Sequence, residues 1–122
     1  MRREGKEGES AGHRHARLQG LIVEELRALL RDDVSDPTLT DVRITAVVLS
    51  VDYRLARVHF ALRTVAGGAA QERGRAERAL GRATPFFRAR LAEAIDFKRV
   101  PDLRFVFDGF APPEEGGSPW SE

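Results

Sequence analysis

The chain contains no cysteine. That excludes a disulfide framework and thiolate-held metal sites, and it fits a reducing compartment. Aromatic residues are scarce as well, at 7% of 122, so a core has to be built mainly from aliphatic side chains. Long apolar runs are also missing. Stretches such as AVVL at 46–49 fall far short of the roughly 20 residues that a membrane-spanning helix needs, and the opening MRREGKEGESAGHRH has no apolar signal-peptide segment. A cytoplasmic protein is expected. No Walker loop, dinucleotide fingerprint or nucleophile motif occurs, so neither an enzyme nor a cofactor is expected.

What is present describes one domain, with 42% hydrophobic and 32% charged residues. The formal charge is only +1, but residues 63–107 hold ten Lys and Arg against five Asp and Glu, while residues 108–122 hold four acids and no base. A local basic surface on a near-neutral chain is the electrostatic footprint of selective nucleic-acid binding. Eighteen of the twenty basic residues are Arg. Genome base composition alone could give that bias, and solvated charged faces are common.

The ends, residues 1–13 and 111–122, are rich in Gly, Pro, Ser and charge and read as disordered tails. Between them, residues 14–110 form the expected domain. Leu18, Leu21, Ile22, Leu26, Leu29 and Leu30 recur at helical spacing, predicting a helix from about Arg14 to Arg31. DDVSDPTLTD then turns the chain. VRITAVVLSV is β-branched and apolar at nearly every position, and LARVHFALR alternates, so two strands joined by a VDYR hairpin follow. TVAGGAA reads as a loop. Ala76, Ala79, Leu80 and Ala83 mark a second helix, Phe87, Leu91, Ala94 and Ile95 a third, and Leu103, Phe105 and Phe107 a final strand that ends before Asp108 and Gly109. The expected order is α-β-β-α-α-β, an α+β domain with helices on one face of a three-stranded sheet.

Pro85 divides the second and third helices in that scheme. Proline inside a helix costs about 3 kcal/mol, but at the first helical position its missing donor is no loss. Thr84 is then the residue that caps the helix start. In KH domains a GxxG loop at the corresponding helix junction clamps the nucleic-acid backbone. The junction here has no GxxG, and the GKEG at 5–8 lies in the polar tail with no flanking helices.

RHARL at 14–18, DPTL at 36–39, ITAVVLSVDYRLARV at 44–58 and VPDLRFVFD at 100–108 together resemble the ribosome-binding factor A family. The resemblance spans residues 14–108 and implies a KH-like (type II) fold whose junction is a kinked Ala-x-Gly. Ala83, Thr84 and Pro85 occupy that kink, with proline where the family usually has glycine. The resemblance further implies a monomeric assembly factor that binds the free or immature small (30S) ribosomal subunit. Its 16S ribosomal RNA would be contacted near the decoding region, and late maturation of the RNA 5′ end assisted, notably in the cold.

Candidate RNA-binding residues cluster near the junction. Arg75, Arg78 and Arg82 form a stripe on the second helix, readable as phosphate contacts or as a solvated face. Phe86 lies beside Arg90 and could stack on an exposed base, or fold under the first helix or the C-terminal segment. Arg88, Lys98 and Arg99 extend the basic neighbourhood, although the last two could simply cap the helix end. Asp32, Asp33, Asp36 and Asp41 could suggest a metal-dependent nuclease, yet Asp is favoured in turns for local backbone capping. His13 and His15 lack a third ligand. No metal site is expected.

Overall fold

The computed structural model describes the backbone of residues 2–63 and 69–111 and the side chains of residues 12–63 and 71–111. Helix α1 spans Arg2–Ala28 and loosens into one π turn at Leu29–Asp33. A 3-10 turn at Pro37–Leu39 leads into strand β1, Val42–Leu49, which is followed by β2, Leu55–Arg63. Helix α2 then runs Ala69–Ala94, and β3, Asp102–Ala111, ends the described chain. The order is α-β-β-α-β. β2 is central, pairing antiparallel with β1 and parallel with β3, so α2 is the crossover that a parallel pair requires.

The largest departure from the sequence expectation concerns Pro85. It lies inside a single helix rather than at the start of a third one. Pro85 has no N–H for the Gly81 carbonyl, and its ring crowds that carbonyl. Gly81 is exposed, so its unpaired carbonyl can be hydrated. Thr84 caps nothing; its hydroxyl donates back to the Leu80 carbonyl at 2.8 Å. Burial keeps its phase through the proline. Ala76, Leu80, Phe87 and Leu91 are all within 1% of full burial, and half-buried Ala83 packs against the same core. Packing on both sides of position 85 offsets the local cost.

Two further boundaries move. Composition reads residues 1–13 as a disordered tail, but the helical backbone begins at Arg2; once packed turns nucleate a helix, each added residue contributes a hydrogen bond. β3 does not stop before Asp108. It continues to Ala111 through an irregularity in its pairing with β2, between Phe60 and Leu62, where Gly109 takes φ 107°, the left-handed conformation that glycine accommodates without a Cβ clash. The loop reading of residues 64–68 and the tail reading of 112–122 lie outside the described residues.

Alternation puts Ala56, Val58, Phe60 and Leu62 of β2 in the core, with Arg57 exposed and His59 half-buried. They meet Ile22, Leu26 and Leu29 from the α1 segment and Leu80, Phe87 and Leu91 from α2. Phe105 and Phe107 close the cluster, at ring distances of 6.4 and 5.6 Å from Phe60. β1 is an edge strand whose backbone groups would otherwise lack partners. Side chains of α1 supply them: Gln19 accepts from the Leu49 N–H at 2.9 Å, and Arg27 donates to the Ile44 carbonyl at 2.7 and 3.1 Å.

Candidate RNA interface

α2 carries most of the expected site because arginines at 75, 78 and 82 follow its turns outside the buried stripe. Their partners differ. Arg75 pairs with Glu72 at 3.2 Å along the same helix, and Arg82 reaches Asp36 at 3.5 Å. Arg78 has no hydrogen bond or ion pair among the described residues and lies over Gly74. Exposed ion pairs contribute about 1 kcal/mol at most, so Arg75 and Arg82 can exchange their carboxylates for phosphates at little cost.

Arg88 and Arg90 are tied down more firmly. Arg88 donates to the carbonyls of Val100 and Pro101 at 3.0 and 3.2 Å and lies 3.6 Å from Asp102. It latches α2 to the entry of β3. Arg90 pairs with Asp33 at 3.6 Å and Glu93 at 3.5 Å, and its guanidinium sits 5.8 Å from the Phe86 ring. Phe86 is 36% exposed. Of the two readings open to that ring, the tucked-under one fails, because the next residue, Phe87, takes the core position. An aromatic ring with a cation beside it stands on the surface one residue after Pro85.

Lys98 and Arg99 are exposed but do not join this patch. They follow the end of α2 and line a cleft with Arg14, Tyr53 and Arg54 at the hairpin end of the sheet. About 14 Å of helix separates Pro85 from Ala94 at 1.5 Å per residue. Arg57 and Arg104, which the sequence reading did not select, are register partners on β2 and β3 and both exposed. Strand alternation, which points both away from the core, was the signal for them.

The acidic turn is structural. Asp36 accepts the Thr38 N–H at 2.9 Å, and that bond, with Arg82 nearby, holds its carboxyl below the ordinary 3.8. Asp33 and Asp36 answer α2 arginines instead of converging on a cation. Among the described residues no group of three or more His, Asp or Glu side chains could hold a metal ion. His15 donates from Nε2 to the Ser50 carbonyl at 3.3 Å and packs edge-on against Tyr53, so it fixes the hairpin to α1. Among the described residues no helix is long and apolar enough to cross a membrane.

The family model for ribosome-binding factor A matches residues 14–113. The chain belongs to the ribosome-binding factor A family. The family member from Heliobacterium modesticaldum is 41% identical over 98 residues, covering 80% of this chain and 78% of the relative. That from Vesicomyosocius okutanii is 37% identical over 102 residues, 84% of each chain. The crystal structure of ribosome-binding factor A from Thermus thermophilus superposes with a TM-score of 0.58 at 29% identity, covering 79% of this chain and 92% of that one. A homology model of the Thermus thermophilus factor, fitted into the cryo-EM map of a 30S complex, matches at TM-score 0.52 and 31% identity, over 77% and 90% of the two chains.

Proposed function

We propose that this member of the ribosome-binding factor A family is a cytoplasmic, monomeric and non-enzymatic assembly factor. It binds the free or immature small ribosomal subunit and assists late maturation of the 16S ribosomal RNA, including its 5′ end. The binding unit is residues 14–110, a KH-like (type II) surface in which α2 bends at Ala83, Thr84 and Pro85. Interior prolines are among the few causes of sharp helix bends. Arg75, Arg78 and Arg82 take phosphates on one side of that bend, while Phe86, kept beside Arg90, stacks on an exposed base or ribose. Lys98 and Arg99 take RNA at the far end of the helix. Arg88 holds the surface in place from behind.

The observation that carries this reading is the α2 face itself: an Arg78 with no ion pair among the described residues, two weakly paired arginines and an exposed aromatic ring in about three helical turns. The Thermus thermophilus relative fitted into a 30S map supports the choice of partner. Sedimentation of the full chain with purified small subunits, large subunits and free RNA, with and without Mg²⁺ chelation, tests it. Cosedimentation with small subunits alone and uncut RNA is expected. Metal-dependent cleavage, or equal binding to both subunits, would overturn it.

A further inference from the structure

The hairpin end of the sheet holds a second basic site, separate from the α2 face. Three chain segments meet there: the start of the apolar part of α1, the β1–β2 turn and the connection from α2 to β3. A cleft of about 420 Å³ opens between them. Its walls are fixed. Ser50 Oγ accepts the Leu55 N–H at 3.0 Å and donates to Asp52 at 2.8 Å, while Asp102 donates its N–H to the Arg54 carbonyl at 2.9 Å. Tyr53 is the one non-glycine residue with positive φ among the described residues, at 66°. Such conformations persist only where their surroundings enforce them, and they cluster at functional sites.

The cleft's charge is unbalanced. Arg14, Arg54, Lys98 and Arg99 line it, are all exposed, and have no side-chain hydrogen bond or ion pair among the described residues. Two carboxylates face them. Asp52 is committed to the turn, accepting from the Ser50 hydroxyl and the Arg54 N–H, which hold its pKa below the ordinary value. Even so, Asp52 and Asp96 together leave the four cations with an excess of two positive charges. Phe97 and Tyr53, half-buried and packed against the core, give the same cleft two aromatic walls. Unpaired cations around aromatic surface match an unpaired nucleic-acid strand, whose phosphates supply the missing charge and whose bases have faces to offer.

We infer that this cleft binds the sugar-phosphate backbone of an unpaired RNA segment, giving the domain a second anchoring point beyond the α2 face. The inference rests on the small-subunit reading above but can fail independently of it. The test uses the ¹⁵N-labelled full chain and an eight-nucleotide uridylate strand. Amides of Tyr53, Phe97, Lys98 and Arg99 should shift on titration. Replacing three cations (Arg54→Gln, Lys98→Gln, Arg99→Gln) should weaken uridylate binding about tenfold or more near 50 mM salt and lower the slope of log affinity against log salt by roughly two, at about 0.7 for each single-strand phosphate contact. Uridylate affinity and salt slope unchanged in the variant would overturn the inference. So would identical amide shifts from inorganic phosphate at the same concentration, or equal affinity for an eight-residue polyglutamate. Loss of wild-type cosedimentation with small subunits would instead remove the assembly reading, and the uridylate titration would still decide the cleft.

Discussion

Replacing Pro85 with alanine should make the protein more stable. An interior proline is about 3 kcal/mol less favourable than alanine in a helix, and part of that reflects the donor missing at the i−4 carbonyl. Here that carbonyl belongs to exposed Gly81, so water can stand in for part of the missing donor. Proline also restrains the unfolded chain, an advantage of about 0.4–1 kcal/mol that the substitution gives up. The net expectation is a gain of about 1–2 kcal/mol, read as a rise in the urea midpoint at unchanged m-value. Thr84→Ala is the companion measurement. It removes the bond to Leu80 but improves helix propensity, so it should fall within about 0.5 kcal/mol of the parent. Were Pro85 instead the first residue of a helix capped by Thr84, Pro85→Ala would lose stability and Thr84→Ala would cost about 1 kcal/mol. That pair of results would refute the single-helix account. If, as proposed, Pro85 bends α2 and the bend serves RNA binding, Pro85→Ala should also bind small subunits more weakly while being the more stable protein.

Leu91→Ala should destabilise by about 2–5 kcal/mol in denaturant unfolding, because Leu91 is fully buried against both sheet and helix; a change under about 0.5 kcal/mol would show that the C-terminal half of α2 does not pack there. Arg88→Gln should lower the melting temperature yet leave the salt slope of RNA binding alone, since its donors are committed to the carbonyls of Val100 and Pro101; the reverse pattern would make it a phosphate contact. Asp52 has a lowered pKa, chiefly from the Ser50 hydroxyl and then the Arg54 N–H. Its contribution is therefore fully present above the unfolded value, near 3.9, and lost as pH falls through the lower folded one. Asp52→Asn should flatten acid unfolding below about pH 4, and an identical acid limb in the variant would show that the turn contributes nothing.

Period and alternation suffice for the three strands, for the apolar face of α1 and for the core positions Leu26, Val58, Leu80 and Leu91, because each depends on neighbours a few residues away. At Pro85, local proline chemistry points to a break and hydrophobic phase points the other way. Positions 76, 80, 83, 87 and 91 keep one helical period across the proline, whereas a true break with a turn would have reset it, and phase is the signal the structure follows. Glycine weakens strands, which suggests an end at Gly109; its positive φ at a pairing irregularity instead lets β3 continue. Long-range polar contacts leave no local trace. His15 reaching Ser50 and Arg27 reaching Ile44 join residues 35 and 17 positions apart, and nothing in either segment alone announces the partner. The candidate site is legible as a concentration of charge. Which arginines are free is not, because that depends on where Asp33, Asp36 and the carbonyls before β3 come to lie.

Whether α2 presents phosphate contacts to the small subunit is decided by the salt dependence of small-subunit binding for Arg78→Gln/Arg82→Gln. Each lost contact should lower the slope of log affinity against log salt by about 0.7–0.9, so the pair should lower it by up to about two, with the melting temperature nearly unchanged. Arg31→Gln is the reference, its only ion pair among the described residues being with neighbouring Asp32 on the exposed end of the first helical segment. A slope unaltered by the α2 pair but changed by Arg31→Gln would rule out the α2 arginines as the phosphate contacts.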